Sequence, residues 1–254
     1  MRIVIKVGSS LLSSAQTTSG LDETFIGHLV QQIGTLHQQG HEIILVTSGA
    51  VATGMIKDKG YPPARAAMVG QNRLMNVYSR FFDQLSIRIG QALYTYYDLE
   101  DDHKFCTQER LLQGFKWGEV TIVNANDAVM DEELKALKDL ADNDKLSAKI
   151  AVLIKADILV IMTDVDGLFC DYGLPEAELI KEVPLIDKGI IQLAKKTDST
   201  ISRGGMLSKI EAAKLATAKE VEVALINGKE PSILLKRING PRDSYPGTTF
   251  LTRK

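Results

Sequence analysis

The stretch IVIKVGSS, residues Ile3–Ser10, joins an apolar, β-branched run to a turn of small residues. Such a run is typical of a strand that is buried on both faces, as the strands of a parallel sheet are. Similar runs recur along the chain, with segments of helical spacing between them. The predicted strands are Ile3–Val7, Glu42–Val46, Arg88–Tyr94, Glu119–Val123, Asp157–Met162 and Val221–Ile226. This alternation predicts an α/β fold, a three-layer αβα sandwich around a mainly parallel sheet.

The composition of the 254-residue chain is that of an ordinary globular protein, with 44% hydrophobic and 24% charged residues. Its 30 Lys and Arg against 32 Asp and Glu give a net charge of −2, so no overall field attracts nucleic acid or a membrane. The sequence has neither a signal-peptide pattern nor a bilayer-spanning run, and Cys106 and Cys170 lack metal-ligand spacing. We therefore expect a cytoplasmic protein whose anion sites are local.

The chain has no repeat, low-complexity tract or linker that would divide it into separate domains. A soft boundary lies near residue 150, where the polar loop Met130–Asp144 is followed by a predicted helix, Lys145–Lys155. We expect one domain, 1–254, made of two lobes, 1–150 and 151–254, that share one sheet. A cleft is then expected at the carboxyl edge of the strands.

The end of the first strand is the first candidate site, because Lys6 is followed there by Gly8 and Ser9. A lysine is tolerated at the tip of a buried strand if its ammonium faces a cleft, and a turn of small residues lets a phosphate approach backbone N–H groups. Taken alone, the segment is also typical of a lysine that extends from a strand end into solvent.

A second candidate follows the strand at Ile43–Val46, where Thr47–Gly54 leads through Ser48 and Gly49 into a helix. The N–H groups at the start of a helix can bind a carboxylate or a phosphate. A serine N-cap beside a packing glycine produces the same pattern, so this segment alone does not distinguish an anion site from an ordinary helix cap.

Two clusters rich in Asp and Asn, Asn124–Asp127 and Asp142–Asp144, lie at a strand end and before a predicted helix. Such residues commonly form turns and caps, and we expect one of the aspartates to do only that. Two such clusters at neighbouring strand ends indicate a functional site in addition to turns and caps. One carboxylate would pair with a substrate ammonium, and another would hold catalytic lysines in place.

Two later segments have the character of a nucleotide site. Thr163–Phe169 follows an apolar strand, although its Asp-Gly also marks an ordinary turn, and Ser202–Lys209 opens a helix with a Gly-Gly turn and Lys209. The latter is a generic phosphate-binding turn without Walker A spacing. Two lysines with carboxylates and glycine turns suit phosphoryl transfer, which requires positioning and charge neutralisation. The four histidines show no metal or triad pattern, so nothing predicts nucleophilic catalysis.

Seven segments, taken in order, resemble those of the amino acid kinase family, and within it the glutamate 5-kinase branch. They are Ile5–Ser10, Leu45–Ala50, Val69–Gln71, Asn124–Val129, Asp142–Ala148, Thr163–Leu168 and Gly204–Lys209. The resemblance extends from residue 3 to the closing Gly247–Phe250. A co-linear set of this kind is specific for the family, and it outweighs the alternative interpretations of the single segments.

The resemblance implies the carbamate kinase-like fold of that family and transfer of the γ-phosphoryl group of ATP to the side-chain carboxylate of L-glutamate, on the route to proline. ATP would be the co-substrate, Mg²⁺ would bridge its phosphates, and the product would pass to glutamyl phosphate reductase. A carboxylate is already a nucleophile, so a site without a catalytic histidine agrees with this reaction.

The resemblance also implies roles for single residues. Lys6 and Lys209 would flank the phosphoryl group in transit, and Asp144 would orient the two ammonium groups. The residues expected to bind glutamate are Ser48, Gly49, Asp127, Asp142 and Asn143. The residues expected to bind ATP are Lys6, Gly8, Ser9, Thr163, Asp164, Arg203, Gly204, Gly205, Met206, Leu207, Ser208 and Lys209. None is expected to bind a metal ion directly.

Four features depart from the family pattern. The pair Ser202–Arg203 stands where Gly-Thr is usual, Ala125 where glutamate is usual, and Ala141 where glycine is usual. The chain also ends soon after Phe250, which predicts a form without the RNA-modification-type PUA domain. The three substitutions bear on affinity and rate, and the early end bears on regulation.

Two other functions compete with glutamate phosphorylation. Other members of the family phosphorylate carbamate, aspartate, N-acetylglutamate or a nucleoside monophosphate, but an acceptor phosphate would require arginines near Ser48 and Asp127, where the sequence has none close by. A catalytically weakened sensor or storage protein is the second. Retention of Lys6, Lys209 and Asp144 argues against it.

The predicted helix Ala64–Leu85 carries more large apolar side chains than one core-facing stripe requires. We expect either a fully buried helix or one partly covered by a second subunit. Because related kinases pair through the substrate-binding lobe, a homodimer or homotetramer with an interface near the glutamate site, able to transmit inhibition by proline, is predicted.

Overall fold

The structure is a computed structural model that describes residues 1–14, 17, 19–55, 60–95, 97–100, 103–129, 142–197 and 205–252. The strands are β1 (Arg2–Val7), β2 (Glu42–Val46), β3 (Ile89–Tyr94), β4 (Val120–Ala125), β5 (Ile158–Thr163), β6 (Phe169–Cys170), β7 (Glu178–Leu179), β8 (Glu182–Val183), β9 (Glu222–Asn227) and β10 (Gly247–Phe250). The helices are α1 (Ser9–Leu12), α2 (Glu23–Gln38), α3 (Ala50–Met55), α4 (Pro63–Gln84), α5 (His103–Lys116), α6 (Asn143–Leu153), α7 (Lys188–Thr197), α8 (Met206–Thr217) and α9 (Ile233–Asn239).

One eight-stranded sheet in the order β3-β4-β2-β1-β5-β9-β10-β8 forms the centre of the molecule. The six strands from β3 to β9 are parallel, whereas β10 is antiparallel to β9 and pairs with β8 at the edge. β6 and β7 form a separate small hairpin. The predicted α/β class and the mainly parallel sheet are confirmed.

Two hydrophobic clusters lie on opposite faces of the sheet, because neighbouring side chains of a strand point to opposite faces. In β1, Ile3, Ile5 and Val7 pack with α2, α4 and α9, whereas Val4 packs with α6 and α8. The sheet is therefore the middle of three layers. Lys6 is two residues after Val4, so the alternation directs its side chain toward the layer that contains α6 and α8.

Two predicted element boundaries near the candidate clusters were wrong. Strand β4 continues to Ala125, where Asn124 and Ala125 pair with the end of β3, so Asn124 belongs to the strand rather than to a turn after it. Helix α6 begins at Asn143, because the Asp142 side chain caps it. The loop predicted at Met130–Asp144 lies outside the described residues as far as residue 141.

The two sequence regions assigned to separate lobes contribute to one continuous sheet. Residues before 150 supply β1 to β4, and residues after 150 supply β5, β8, β9 and β10. Within the described ranges, no helix has both the length and the apolar character required to cross a bilayer.

Candidate active site

The candidate residues meet at the carboxyl edge of the parallel strands. Strands β4, β2, β1 and β5 are neighbours in the sheet, and Lys6 lies opposite Val46 of β2 and Ile161 of β5. Ser48, Asn124 and Thr163 therefore come from adjacent strand ends. In open α/β sheets this edge is where ligands bind.

Asp144 is the centre of the site. Its Oδ1 lies 2.5 Å from the Nζ of Lys6, and its Oδ2 lies 3.4 Å from the Nζ of Lys209. Asp144 is 0% exposed, and Lys6 and Lys209 are 5% and 8% exposed. Two ammonium groups are thus fixed at one place in a chain that is slightly negative overall. Fixed ammonium groups suit a ligand that carries several negative charges.

The start of α6 fixes the position of Asp144. The Asp142 carboxylate accepts a hydrogen bond of 2.9 Å from the backbone N–H of Asp144, and the Ser147 hydroxyl donates to the Asp144 carbonyl at 2.6 Å. Both bonds hold the first turn of the helix. The carboxylate is therefore attached to a rigid element rather than to a loop.

Helix α8 brings the second lysine to the same carboxylate. Gly205 caps this helix in an extended conformation, and Lys209 lies one turn later, with its Nζ 3.5 Å from the Gly205 carbonyl oxygen. Ser208 donates to the Asp142 carboxylate and lies 3.3 Å from the Oδ2 of Asp144. The hydroxyl thereby connects α8 to the start of α6.

The two carboxylates at the start of α6 ionise differently. Burial opposes ionisation of Asp144, but the ammonium groups of Lys6 and Lys209 outweigh it and hold the pKa of Asp144 below its ordinary value. Burial, together with the charge of Asp144, raises the pKa of Asp142. Asp144 is therefore the carboxylate that stays charged over the wider pH range.

The glycine turn after β1 lies beside the first lysine. The backbone N–H of Gly8 donates to the carbonyl of Met162 at 3.2 Å, which ties the turn to the end of β5. A Cβ on Gly8 would lie 3.9 Å from the Nζ of Lys6. The following residue, Ser9, is exposed and begins α1.

Polar side chains from the turn after β2, from β4 and from α4 are linked by hydrogen bonds to Asn143, the residue before Asp144. The Nδ2 of Asn143 donates to the Ser48 hydroxyl at 3.0 Å and to the Asn124 Oδ1 at 3.1 Å. The Nδ2 of Asn124 in turn donates to the Gln71 Oε1 of α4 at 2.8 Å. Gly49 has a φ of +93°, a left-handed conformation that favours glycine at this turn. Ser48 and Asn143, both predicted from the sequence, are thus in direct contact.

Asp127 lies half-buried in the turn that follows β4, a turn closed by a hydrogen bond from the Val129 N–H to the Asn126 carbonyl. This turn directly follows β4, the strand that carries Asn124 near its end. Ala125, one of the departures from the family pattern, is buried in the hydrophobic cluster that also contains residues of α6 and α8.

Two of the residues predicted to bind ATP, Thr163 and Asp164, lie at the end of β5, the strand next to β1. Thr163 is buried at the end of β5, and its hydroxyl donates to the exposed Asp164 carboxylate at 3.2 Å. Met206 is buried, and Leu207 is half-buried in the first turn of α8. Arg203 and Gly204 lie outside the described residues, as does Ala141.

Sequence reasoning missed Asn124 and Gln71 as members of this network. Both occur in segments that resemble the family, but no role was predicted for either. The signal that could have found Gln71 is its position on the buried face of an amphipathic helix, where a polar side chain needs a partner. Both side chains are nearly inaccessible, at 9% exposure for Gln71 and 1% for Asn124.

Comparison with known proteins identifies the family. The family model described as "Amino acid kinase family" matches residues 1–227. Glutamate 5-kinase of Dehalococcoides mccartyi (strain CBDB1) is 40% identical, over 98% of this chain and 68% of its own length. Glutamate 5-kinase of Clostridium tetani is 38% identical, over 94% of this chain and 91% of its own length.

The fold is also found among solved structures. The crystal structure of UMP kinase from Ureaplasma parvum superposes with a TM-score of 0.68 and 14% sequence identity, covering 99% of this chain and 98% of that one. At this identity the likeness concerns the fold alone. The family model and the relatives over nearly the full chain go further: the chain belongs to the amino acid kinase family, in its glutamate 5-kinase branch.

Proposed function

We propose that the protein transfers the γ-phosphoryl group of ATP to the side-chain carboxylate of L-glutamate, giving L-glutamyl 5-phosphate for proline biosynthesis. The observation that carries the proposal is the contact of Asp144 with both Lys6 and Lys209, next to the paired Ser48 and Asn143. The names of the relatives support glutamate as the acceptor.

The reaction needs alignment and charge neutralisation more than proton transfer. A glutamate carboxylate oxygen forms a bond to the γ-phosphorus, and the bond from that phosphorus to the oxygen bridging the β- and γ-phosphates breaks. ADP leaves with the electron pair. Because the carboxylate is already ionised at neutral pH, no general base is required. This agrees with a site built from lysines and amides.

The two lysines are proposed to stabilise the negative charge of the phosphoryl group in transit. Lys6 comes from a strand and Lys209 from a helix, and each lies against a different oxygen of Asp144. The carboxylate therefore keeps two mutually repelling ammonium groups in one site. Fixed charges of this kind stabilise a transition state without having to reorganise during the reaction.

Glutamate binding is assigned to the side of the site that contains Ser48, Gly49, Asp127, Asp142 and Asn143. The Nδ2 of Asn143 already donates two hydrogen bonds, whereas its buried Oδ1 has no hydrogen-bond partner among the described residues. A buried acceptor oxygen of this kind suits the ammonium group of a free amino acid. The Asp127 carboxylate would add charge complementarity to the same group.

Nucleotide binding is assigned to the turn at Gly8 and Ser9, to Thr163 and Asp164 at the end of β5 and, from the resemblance to the family, to the segment Arg203–Lys209. Mg²⁺ is proposed to enter with ATP. In the described part of the chain no three His, Cys, Asp or Glu side chains are grouped to hold a metal ion. Mg²⁺ commonly keeps several waters and binds mainly through nucleotide phosphates, so the residues present are compatible with it.

A panel of acceptors tests the proposal. Wild-type protein with ATP and Mg²⁺ is supplied in turn with L-glutamate, L-aspartate, N-acetyl-L-glutamate, carbamate and UMP, and ADP release is measured for each. We expect the highest kcat/KM with L-glutamate. A higher value with any other acceptor would refute the assignment, and the absence of turnover with all of them would favour a sensor or storage protein.

Assembly is a separate part of the proposal. Of the large apolar residues of α4, Leu74, Val77, Tyr78 and Phe82 are buried in the core, whereas Met68 is 52% exposed. Met75 and Phe81 are half-buried. We propose a homodimer or homotetramer that covers this exposed part of α4, works in the cytoplasm and passes its product to glutamyl phosphate reductase.

Sedimentation equilibrium at micromolar protein tests the assembly, because a stable and active monomer would refute it. Glutamate saturation curves with and without proline test the regulation. We expect proline to raise the apparent KM for glutamate, and an unchanged curve would show that this chain lacks the feedback.

A further inference from the structure

Gln71 is a buried amide that takes no part in the proposed phosphoryl transfer. We propose that Gln71 is a positioning residue for the amino-acid acceptor: through the amide relay, defined as Gln71, Asn124 and Asn143, it fixes which end of the Asn143 amide faces the substrate. This inference rests on the proposed function, because the substrate group that it concerns is the ammonium of an amino acid.

A backbone N–H group sets the orientation of the Asn124 amide. The N–H of Ala125 donates to the Asn124 Oδ1 at 2.9 Å. A backbone N–H can only donate, so the Asn124 atom that faces it must be the oxygen. The Asn124 Nδ2 then points the other way, toward α4, where it lies 2.8 Å from the Oε1 of Gln71. Gln71 supplies the acceptor that this orientation of Asn124 requires.

The orientation of Asn124 in turn sets the orientation of the Asn143 amide. The Asn124 Oδ1 also receives a hydrogen bond of 3.1 Å from the Asn143 Nδ2. An oxygen on Asn124 can be met only by a donor, so the Asn143 amide presents its nitrogen inward and retains its Oδ1 as an acceptor. Without Gln71, the Asn124 Nδ2 would lose its acceptor, and the N–H of Ala125 alone would hold the Asn124 amide in this orientation. The Asn143 amide would then be less firmly oriented.

The packing of α4 makes this contact possible. A Cβ on Gly70 would lie 1.8 Å from the carbonyl oxygen of Ala50, so α4 approaches α3 more closely than any other residue at this position would allow. Gln71 follows directly and is buried, with its Oε1 against Asn124 of β4. The close helix contact thus brings a side chain of α4 to the end of β4.

Stability alone does not favour a glutamine here. The Gln71 Nε2 is buried and has no hydrogen-bond partner within the described ranges. An unsatisfied buried donor is costly, and an apolar side chain of similar length would remove that donor but leave the Nδ2 of Asn124 without its acceptor. Retention of the amide is therefore explained by the acceptor that its Oε1 provides to Asn124.

Substitution of Gln71 by methionine tests the inference. Gln71→Met removes the acceptor at nearly constant volume, and we expect KM for the amino-acid acceptor to rise by about tenfold, the effect of one lost buried hydrogen bond. The kcat and the KM for ATP should stay within about twofold. Tm should move by no more than about 3 °C, because one unpartnered nitrogen is removed and another is created. Should this variant fail to fold, Gln71→Ala gives the same comparison.

Two further variants separate orientation from packing. Gln71→Glu keeps an acceptor oxygen, and we expect its KM to stay within about threefold of the wild-type value. Val77→Ala, also buried on α4, removes packing only and should lower Tm without changing KM. In addition, Gln71→Met combined with Asn124→Ala should raise KM no more than Asn124→Ala alone, because Gln71 acts through Asn124.

The inference and the proposed function fail in distinguishable ways. KM is measured for the acceptor that the wild-type protein uses best, whichever acceptor of the panel that is. If it is not L-glutamate, the proposed function fails, and the relay is still tested on the acceptor found. A wild-type KM in Gln71→Met, or an equal loss in Gln71→Glu, would overturn the role of Gln71.

Discussion

Lys6 and Asp144 form a buried ion pair, with 2.5 Å between Nζ and Oδ1. The pair joins the end of the central strand β1 to the first turn of α6. Taking both charges out of water is costly, and a buried pair usually stabilises a protein less than well-packed apolar residues would. Its presence at the edge of the sheet is therefore better explained by phosphoryl transfer than by stability.

Loss of the Asp144 charge is expected to destabilise the protein and to reduce its rate. Asp144→Ala leaves two buried ammonium groups without their carboxylate, and removing one partner of such a pair costs about 3–5 kcal/mol. Urea denaturation measures the free energy of unfolding. Asp83→Asn, an exposed aspartate on α4, is the control and should change it by no more than about 0.5 kcal/mol. Equal stability of Asp144→Ala and the control would contradict the described geometry.

Lys6 and Lys209 are expected to act as one unit. Lys6→Ala or Lys209→Ala should lower kcat by about 10²–10³-fold, which is typical for the loss of one transition-state donor. The double variant should lose less than the product of the two, because both ammonium groups act on the same charge. Lys214→Ala on the exposed face of α8 is the matched control. A normal kcat in either folded single variant would exclude that lysine from the mechanism.

Asp127 is expected to affect binding rather than chemistry. Asp127→Ala should raise the KM for glutamate by an amount corresponding to roughly 2–3 kcal/mol, since a partly buried charge would lose its partner. The kcat and the KM for ATP should change little. Steady-state kinetics with each substrate varied in turn measures the difference. A fall in kcat at an unchanged KM for glutamate would place Asp127 in the chemical step instead.

The pH dependence of stability should reflect the opposite shifts of the two aspartates. The pKa of Asp144 is lower in the folded protein, so its contribution is present above the unfolded value of 3.8 and is lost as the pH falls through the folded pKa. The pKa of Asp142 is raised, so its ionisation opposes folding, and this cost disappears as the pH falls from the raised value toward 3.8.

Two asparagine variants separate these effects. Asp144→Asn should lose less stability than the wild type on acidification below about pH 4, whereas Asp142→Asn should gain less on mild acidification from neutral pH. Asparagine can still cap α6, and the Ser208 hydroxyl can accept as well as donate. Chemical denaturation between pH 3 and pH 7 measures both slopes. Unchanged slopes would contradict the assigned shifts.

The sequence predicts the central strands well because burial on both faces leaves a strong apolar signal. Strand β2 was predicted at its observed bounds, and β1 and β5 were each predicted to within one residue at either end. Strands β8 and β10, of two and four residues, were missed, because such short segments have too few alternating residues for a period to appear. Asn124 lies near the end of a strand and Asn143 begins a helix, but the sequence predicted both in loops. Polar residues such as asparagine are common both in turns and at helix caps, so their type does not mark the boundary.

The candidate site was only partly predictable. Lys6, Asp144 and Lys209 come from distant segments, and the resemblance to a family brought them together before their contacts were known. Gln71 also lies in a segment that resembles the family, but the resemblance implied no role for it. Helical spacing places it on a buried face of α4, but the partner of a buried amide depends on the approach of β4, which is a tertiary contact.

Transfer of an oxygen label tests the central claim most directly. Glutamate with ¹⁸O at both oxygens of its side-chain carboxylate is incubated with ATP and hydroxylamine, which attacks the acyl carbon of the product and releases phosphate with the bridging oxygen. Mass spectrometry should then find one ¹⁸O in each phosphate released, because the carboxylate oxygen attacks the γ-phosphorus. Release of unlabelled phosphate would show that water is the acceptor and would contradict glutamate phosphorylation.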